Sequence, residues 1–321
     1  MDKNNKRKIL HSILVGSEIL PAADNHFEKA DLVSLTKEGI KIWKVTYSSR
    51  PIPLLRTTDD GELNLTYHTE SLPAFLLEPS KPRSDTGIIA AHQSKCEYDL
   101  GGDEPAGLRG DPEMFYGLEL AQRGYTLLAP DALPYGARFQ QEQFGRRERG
   151  EEQFAHQRSV INGGTLMGRH VLDYMRAVDI LQNIAGEKIG MIGHSFGGIS
   201  TLFTVASDPR IKAGVVNCGF TSYDAIDEPG YLHGLAVTQP GNFRQEFVDT
   251  FGLLGLLEEQ VLFISAGAED HSLPLAGIRK MVNIAQAKYD CAVTLEVFAG
   301  GHAFPLETRL HAYNFLEEKL K

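Results

Sequence analysis

The apolar positions of this chain fall into two rhythms. From Gly87 onward, short continuous apolar runs recur in GIIAAH, YTLLAPD, KIGMIG, IKAGVVNCGF, VLFISAG and VTLEVF. Unbroken apolarity over so few residues marks strands covered on both faces. Between them lie stretches with helical spacing. In TLMGRHVLDYMRAVDILQNIAG, Met167, Val171, Tyr174, Val178 and Leu181 line one face and Gly186 can close the C-terminus. LETRLHAYNFLEEKLK repeats the pattern with Leu310, Tyr313, Leu316 and Leu320. Strand and helix in alternation predict an α/β fold, a parallel doubly wound sheet with helices on both faces.

The N-terminal part reads differently. GIKIWKVTYSS, ELNLTYHT and LPAFLLEPS predict antiparallel strands opening the sheet, with Asp59-Asp60-Gly61 as a turn. Residues 1–40 show no strand rhythm and are expected to form a leading helix or arm. The segment 137–160, ARFQQEQFGRRERGEEQFAHQRS with its flanks, is highly charged and carries isolated Phe139, Phe144 and Phe154. It reads as a solvated helix or loop, with a lid-like insertion as the competing reading. No repeat, low-complexity tract or linker divides the chain, so residues 1–321 are expected to form one domain.

Composition narrows the function. A net charge of −10 disfavours nucleic acid and anionic membranes, because phosphate contacts need clustered Lys and Arg. A small-molecule substrate is easier to accommodate, and homo-oligomerisation is left open. Cys96, Cys218 and Cys291 are too few and too scattered for a disulfide framework or a zinc site. MDKNNKRKILHSILVG imitates a signal peptide, but its apolar run is short, contains His11 and lacks a small-residue exit. Together these suggest a cytoplasmic protein. No phosphate loop, zinc-helix motif or strand-linked dinucleotide fingerprint is present, so neither cofactor nor metal is expected.

The chemistry centres on GHSFGG. A G-x-S-x-G match arises by chance about 0.16 times in a shuffled chain with this Ser and Gly content, so the pentapeptide alone decides little. Its context decides more. Ser195 follows the strand KIGMIG and precedes ISTLFTVA, whose Ile199, Leu202, Phe203 and Ala206 share a helical face. That strand–turn–helix is the setting of a nucleophile elbow, with Gly193 and Gly197 permitting the turn and Gly198 permitting close helix packing. A serine hydroxyl needs a base, and the base needs an orienting acid. Asp270 follows VLFISAG, and His302 follows VTLEVF in the glycine-rich AGGHAF. Glu269, or Asp224 and Asp227 after IKAGVVNCGF, are alternative acids. His194 and His271 are weaker bases, the first turned aside by the tight elbow and the second adjoining Asp270. Asp173 and Asp179 share a helix with Arg169 and Arg176 and read as ion pairs. Two N–H donors must hold a developing oxyanion. Phe196 should supply one and Ser94, in the HQSK turn after GIIAAH, the other, with Gln93 as alternative. His92 reads as a hydrogen-bonded, loop-orienting histidine.

HQSKCEYDLGGDEPAGLRGDPEMFYGLELAQRGYTLLAPDALPYGAR, GHSFGG, SAGAEDHSLP and AGGHAF together resemble the α/β-hydrolase superfamily. Within it they are most similar to the dienelactone-hydrolase-like and acetyl-xylan-esterase-like branch, over roughly residues 65–321. The resemblance implies an eight-stranded, mostly parallel sheet and a Ser195–Asp270–His302 triad. It also implies Ser94 as the second oxyanion donor. Dienelactone hydrolases carry a cysteine nucleophile, so serine here points to ordinary carboxylic esters, short-acyl or acetyl ones first. A peptidase or amidase could use the same triad, and a non-catalytic binder of this fold would have lost a member of it.

Overall fold

A computed structural model describes residues 2–17, 26–95, 97–139, 148–227 and 242–321. Eleven strands follow in chain order: β1 (Phe27–Leu35), β2 (Lys41–Ser48), β3 (Ile52–Thr57), β4 (Leu63–His68), β5 (Ser71–Glu78) and β6 (Thr86–Ala91) precede β7 (Thr126–Pro130), β8 (Lys188–His194), β9 (Ile211–Asn217), β10 (Val261–Gly267) and β11 (Ala292–Phe298). Nine of them form the central sheet, in the order β1-β2-β5-β7-β6-β8-β9-β10-β11. From β7 to β11 the pairings are parallel, and β1, β2 and β5 add antiparallel pairings on one side. The six residues of β6 and the last six of β8 are all buried, as their unbroken apolarity predicts.

Helices cover both faces. α1 (Lys3–Val15), α2 (Tyr116–Gln122), α3 (Glu148–Ile161), α4 (Leu166–Ile184) and α5 (Phe196–Ser207) come first. Then follow α6 (Tyr223–Asp227), α7 (Phe243–Phe247), α8 (Phe251–Leu254), α9 (Leu275–Lys288) and α10 (Leu306–Lys319). One core layer joins α1, α4, α5 and α9 to the sheet, and the opposite layer joins α2 and α10. The five predicted face residues of α4 are buried. In α10, Tyr313 and Leu316 are buried, but Leu310 is exposed and Ala312 packs in its place. Among the described residues, no helix is long and apolar enough to cross a membrane.

Two expectations need correction. The sheet has nine strands rather than eight, because Phe27–Leu35 adds an edge strand within the region read as an arm. Its residues are exposed on both faces, so no alternation betrays it, and two register shifts interrupt its pairing with β2. ELNLTYHT does not open the central sheet. It contains β4, which pairs with β3 in a separate two-stranded sheet. The leading segment does begin as a helix, α1, and that helix is packed into the core. Leu10 and Leu14 are buried, and Arg7 donates to Ala206 O at 3.2 Å and Leu256 O at 2.7 Å.

A buried ionic cluster ties β5 to the helices. Glu70 Oε2 accepts from Arg169 at 2.9 Å and Arg138 at 3.1 Å, and Arg138 also donates to Asp173 Oδ2 at 2.6 Å. Asp173 is therefore an interior partner rather than a surface one, and Asp179 pairs with Arg50 and Arg210. Burial alone would raise the Glu70 carboxyl, but Arg169 and then Arg138 outweigh it and bring it down to about 2 from 4.5. A depressed carboxyl stabilises the fold above its unfolded value and loses that contribution as pH falls through the folded one. Glu70→Gln should therefore cost on the order of 3 kcal/mol at neutral pH. In urea titrations, the wild-type advantage should shrink as pH falls from about 5 to about 2.

Candidate active site

Every side chain of the candidate site leaves the carboxyl end of a parallel strand, where loops from neighbouring strands converge. At the end of β8, Ser195 has φ 54° and ψ −118°, a conformation costly for a residue with a Cβ. Its N–H donates to Asn217 O at 2.9 Å, which ties the turn to β9. The flanking glycines are required by space. A Cβ on Gly193 would lie 2.2 Å from Gly197 O, one on Gly197 would lie 2.0 Å from Ala91 O, and one on Gly198 would lie 2.7 Å from Gly219 Cα. Gly197 thus presses the start of α5 against the end of β6, and Gly198 presses it against the chain after β9. The roles expected from the sequence shift slightly: Gly193 permits the turn, whereas Gly197 permits a close approach between elements.

The loops after β10 and β11 are laced together. Ala268 N–H donates to Phe298 O at 2.9 Å and Glu269 N–H to Gly300 O at 2.8 Å. Asp270 is buried, and its Oδ1 accepts from the N–H groups of Ser272 at 2.8 Å and Leu273 at 3.1 Å. Its Oδ2 lies 2.8 Å from His302 Nδ1, and His302 Nε2 lies 2.7 Å from Ser195 Oγ. Nδ1–H is placed to donate to the carboxylate, and the serine hydroxyl to Nε2. Burial pushes the Asp270 carboxyl up, but the hydrogen bond and charge of His302 and the two N–H donors outweigh it, leaving it below its ordinary value. It stays ionised beside the imidazole.

The alternatives lie elsewhere. Asp224 is exposed and paired with Arg244 at 2.7 Å and Lys280 at 3.3 Å. Glu269, His271 and Asp227 are exposed. His194 is fully buried with Nδ1 against Asn217 Oδ1, and burial, then the nearby His302, lowers it to about 3. Its ring centroid sits 4.9 Å from that of His302. A neutral His194 therefore forms a wall behind the base.

The turn after β6 is held by side chains. His92 Nδ1 lies 2.7 Å from Gln93 O, and its Nε2 accepts from Ala132 N–H at 3.0 Å. Burial lowers it to about 4, so it remains neutral and orients the loop as its sequence setting suggested. The Gln93 side chain is committed to Glu104 at 3.2 Å. Lys95, at φ 40°, then turns the chain sharply after Ser94. Because Gly197 rests on Ala91 and His92, this turn flanks the N-terminus of α5, where the Phe196 N–H lies. Among the described residues, neither the Ser94 nor the Phe196 N–H donates to a protein acceptor.

Sequence reasoning missed the layer beneath. Asn217 Nδ2 donates to Ser265 Oγ at 2.8 Å, linking His194 through Asn217 to β10. Cys218 follows at φ 44°, fully buried, with Sγ 3.6 Å from Ala303 O. The only hint was that both residues end an apolar run, in VVNCGF. Cys96, the 140–147 part of the lid-like insertion including Phe144, and residues 228–241 lie outside the described residues. α3 borders a cavity of about 310 Å³, together with the β3–β4 hairpin, Glu70, Arg138 and Arg169. Neither Ser195, Asp270 nor His302 lines it.

Two curated relatives share part of this sequence. A Bacillus subtilis protein named as a hydrolase, YtaP, is 26% identical over 280 residues, covering 80% of this chain and 86% of its own length. A second B. subtilis protein, YitV, named as an esterase, is 27% identical over 190 residues, covering 53% and 67% respectively. No family model matches the chain. Among solved structures, acetyl xylan esterase 1 from a Thermoanaerobacterium species is similar over 100% of this chain and 94% of its own, with a TM-score of 0.64 at 15% identity. The central sheet, the order of its strands and this likeness together give the chain the α/β-hydrolase fold of that esterase.

Proposed function

We propose that this protein is a serine esterase that cleaves a carboxylic ester, of short-acyl or acetyl type, through an acyl-enzyme. The observation that carries the reading is the unbroken line Asp270–His302–Ser195, with contacts of 2.8 and 2.7 Å at three strand ends. The names of the relatives and of the structural neighbour agree with it.

The steps follow from the atoms in place. Ser195 Oγ attacks the ester carbonyl while its proton passes to His302 Nε2. In this reading the oxyanion is held by the N–H groups of Phe196 and Ser94, which among the described residues donate to no protein acceptor. The imidazolium, steadied by ionised Asp270, returns the proton to the departing alcohol. Water then attacks the acyl-serine with His302 again as base, releasing the acid and restoring Ser195. One continuous chain, residues 1–321, would supply every group.

A fluorophosphonate probe tests the nucleophile. The expected adduct is a single modification on the peptide holding Ser195, located by mass spectrometry and lost after prior acylation. Matched nitrophenyl esters and anilides test the substrate class. Esters should turn over and anilides should not; comparable anilide rates would favour an amidase.

A further inference from the structure

Beneath the Ser195–His302 pair lies a group the proposed ester chemistry does not use. Cys218 Sγ, a carboxylate oxygen of Asp270 and a ring nitrogen of His302 all lie within 4.8 Å of one another. The three belong to different strand ends, β9, β10 and β11, and no spacing in the sequence announces them. Thiolate, imidazole and carboxylate are the donor types that zinc prefers, and a tetrahedral zinc site places its donors roughly 3.3–3.6 Å apart. To meet that, the 2.8 Å contact between Asp270 Oδ2 and His302 Nδ1 opens by about half an ångström, and Cys218 Sγ, within 4.8 Å of the other two donors, stays in reach. Cys218 and Asp270 are buried, while the His302 side chain keeps 26% of its surface open.

We propose that Cys218, Asp270 and His302 form a latent inhibitory site for a thiophilic divalent cation such as Zn²⁺, whose binding switches the triad off. The inference rests on the esterase reading only for its consequence, not for the binding itself. The balance is simple. Cys218 gives its thiol proton to solvent and binds as thiolate, Asp270 binds as the carboxylate it already is, and His302 binds through Nδ1. The imidazole proton then sits on Nε2. An Nε2 that carries a proton cannot accept the one from Ser195, so the nucleophile loses its base. Without a cation, burial and then the Asp270 charge push the Cys218 thiol up to about 12, and the free protein keeps it as a neutral S–H. The thiol is thus silent until a metal arrives.

Co²⁺ reports the site by spectroscopy and Zn²⁺ by inhibition. In a full-length Cys96→Ser, Cys291→Ser background, one equivalent of Co²⁺ should produce a thiolate-to-cobalt charge-transfer band that Zn²⁺ abolishes. Zn²⁺ should inhibit ester hydrolysis and EDTA should restore it. Cys218→Ser and Cys218→Ala should each lose the band and need roughly 100-fold more Zn²⁺ for half-inhibition, every variant being read against its own metal-free rate. No cobalt–thiolate band in the Cys218-containing protein, or equal Zn²⁺ sensitivity without Cys218, would overturn the proposal. Because the band does not depend on turnover, a protein that binds Co²⁺ but hydrolyses no ester would sink the esterase reading and leave the metal site standing. Should both Cys218 variants fail to fold, Asp270→Asn, which removes a different ligand, should weaken the band instead.

Discussion

Ser195→Ala should lower kcat on a short-chain nitrophenyl ester by about 10⁴-fold to 10⁶-fold while leaving the far-ultraviolet circular dichroism unchanged. On the proposed mechanism the effect is large because the hydroxyl is both the attacking atom and the proton source for His302, so nothing adjacent can replace it. Thr201 and Ser200 lie further along α5, with Thr201 bonded to Gly197 O and Ser200 fully buried. His302→Ala should cost nearly as much. Combining the two should cost little more than either, since once Oγ is gone there is no proton for Nε2 to take. Additive losses would mean that the two groups work on different steps. A wild-type rate from Ser195→Ala would place the nucleophile elsewhere. The same substitution should also relieve little strain, because the φ of 54° is imposed by the elbow and remains with alanine.

The parts of this molecule that were legible in the sequence are those where one physical demand leaves a residue pattern. A strand buried on both faces must be apolar throughout, and β6, β8, β9 and β10 announce themselves that way. Ser195, Asp270 and His302 could be aligned because each follows such a run, and strand ends are where a parallel sheet gathers its loops. Illegible parts answer to demands with no local trace. Edge strand β1 carries Glu28, Lys29 and Asp31 at exposed positions, which makes it read like a solvated arm. β4 alternates in sequence like any antiparallel strand, and nothing in Leu63–His68 says that its partner is β3 alone. Arg7 and Lys3 look like the basic start of a leader, yet they donate to carbonyls of Leu256 and Leu257 some 250 residues away. The Cys218 environment is the extreme case, since Asp270 and His302 come to it from two other strand ends, far along the chain. Long-range proximity of this kind is a property of the sheet order, which no window of sequence contains.

The glycines around the elbow separate strain from space, and Gly197→Ala exploits the difference. Its new Cβ would meet Ala91 O at 2.0 Å and His92 O at 2.7 Å, both backbone atoms of the β6 end that no rotamer change can move aside. Either α5 retreats from the sheet or the β6 turn does. Retreat displaces Phe196 relative to Ser94, the two groups whose N–H vectors converge on one oxygen in the proposed mechanism. A misplacement of an ångström is worth about 100-fold in rate, and overpacking of this kind costs about 1–3 kcal/mol of stability. Gly197→Ala should therefore lose at least about 100-fold in kcat and unfold at lower urea. Gly61→Ala supplies the contrast. Gly61, in the β3–β4 turn outside the central sheet, has φ 84° with nothing within 4 Å of an added methyl, so the cost is backbone strain alone, about 1–2 kcal/mol. That variant should be destabilised to a similar extent yet turn over esters at the wild-type rate per folded molecule. If both variants lost rate in proportion to stability, the elbow would matter only as part of the fold. A rate loss confined to Gly197→Ala would instead tie it to the converging N–H groups, because stability is the quantity the two substitutions share and the β6–α5 contact is the one they do not.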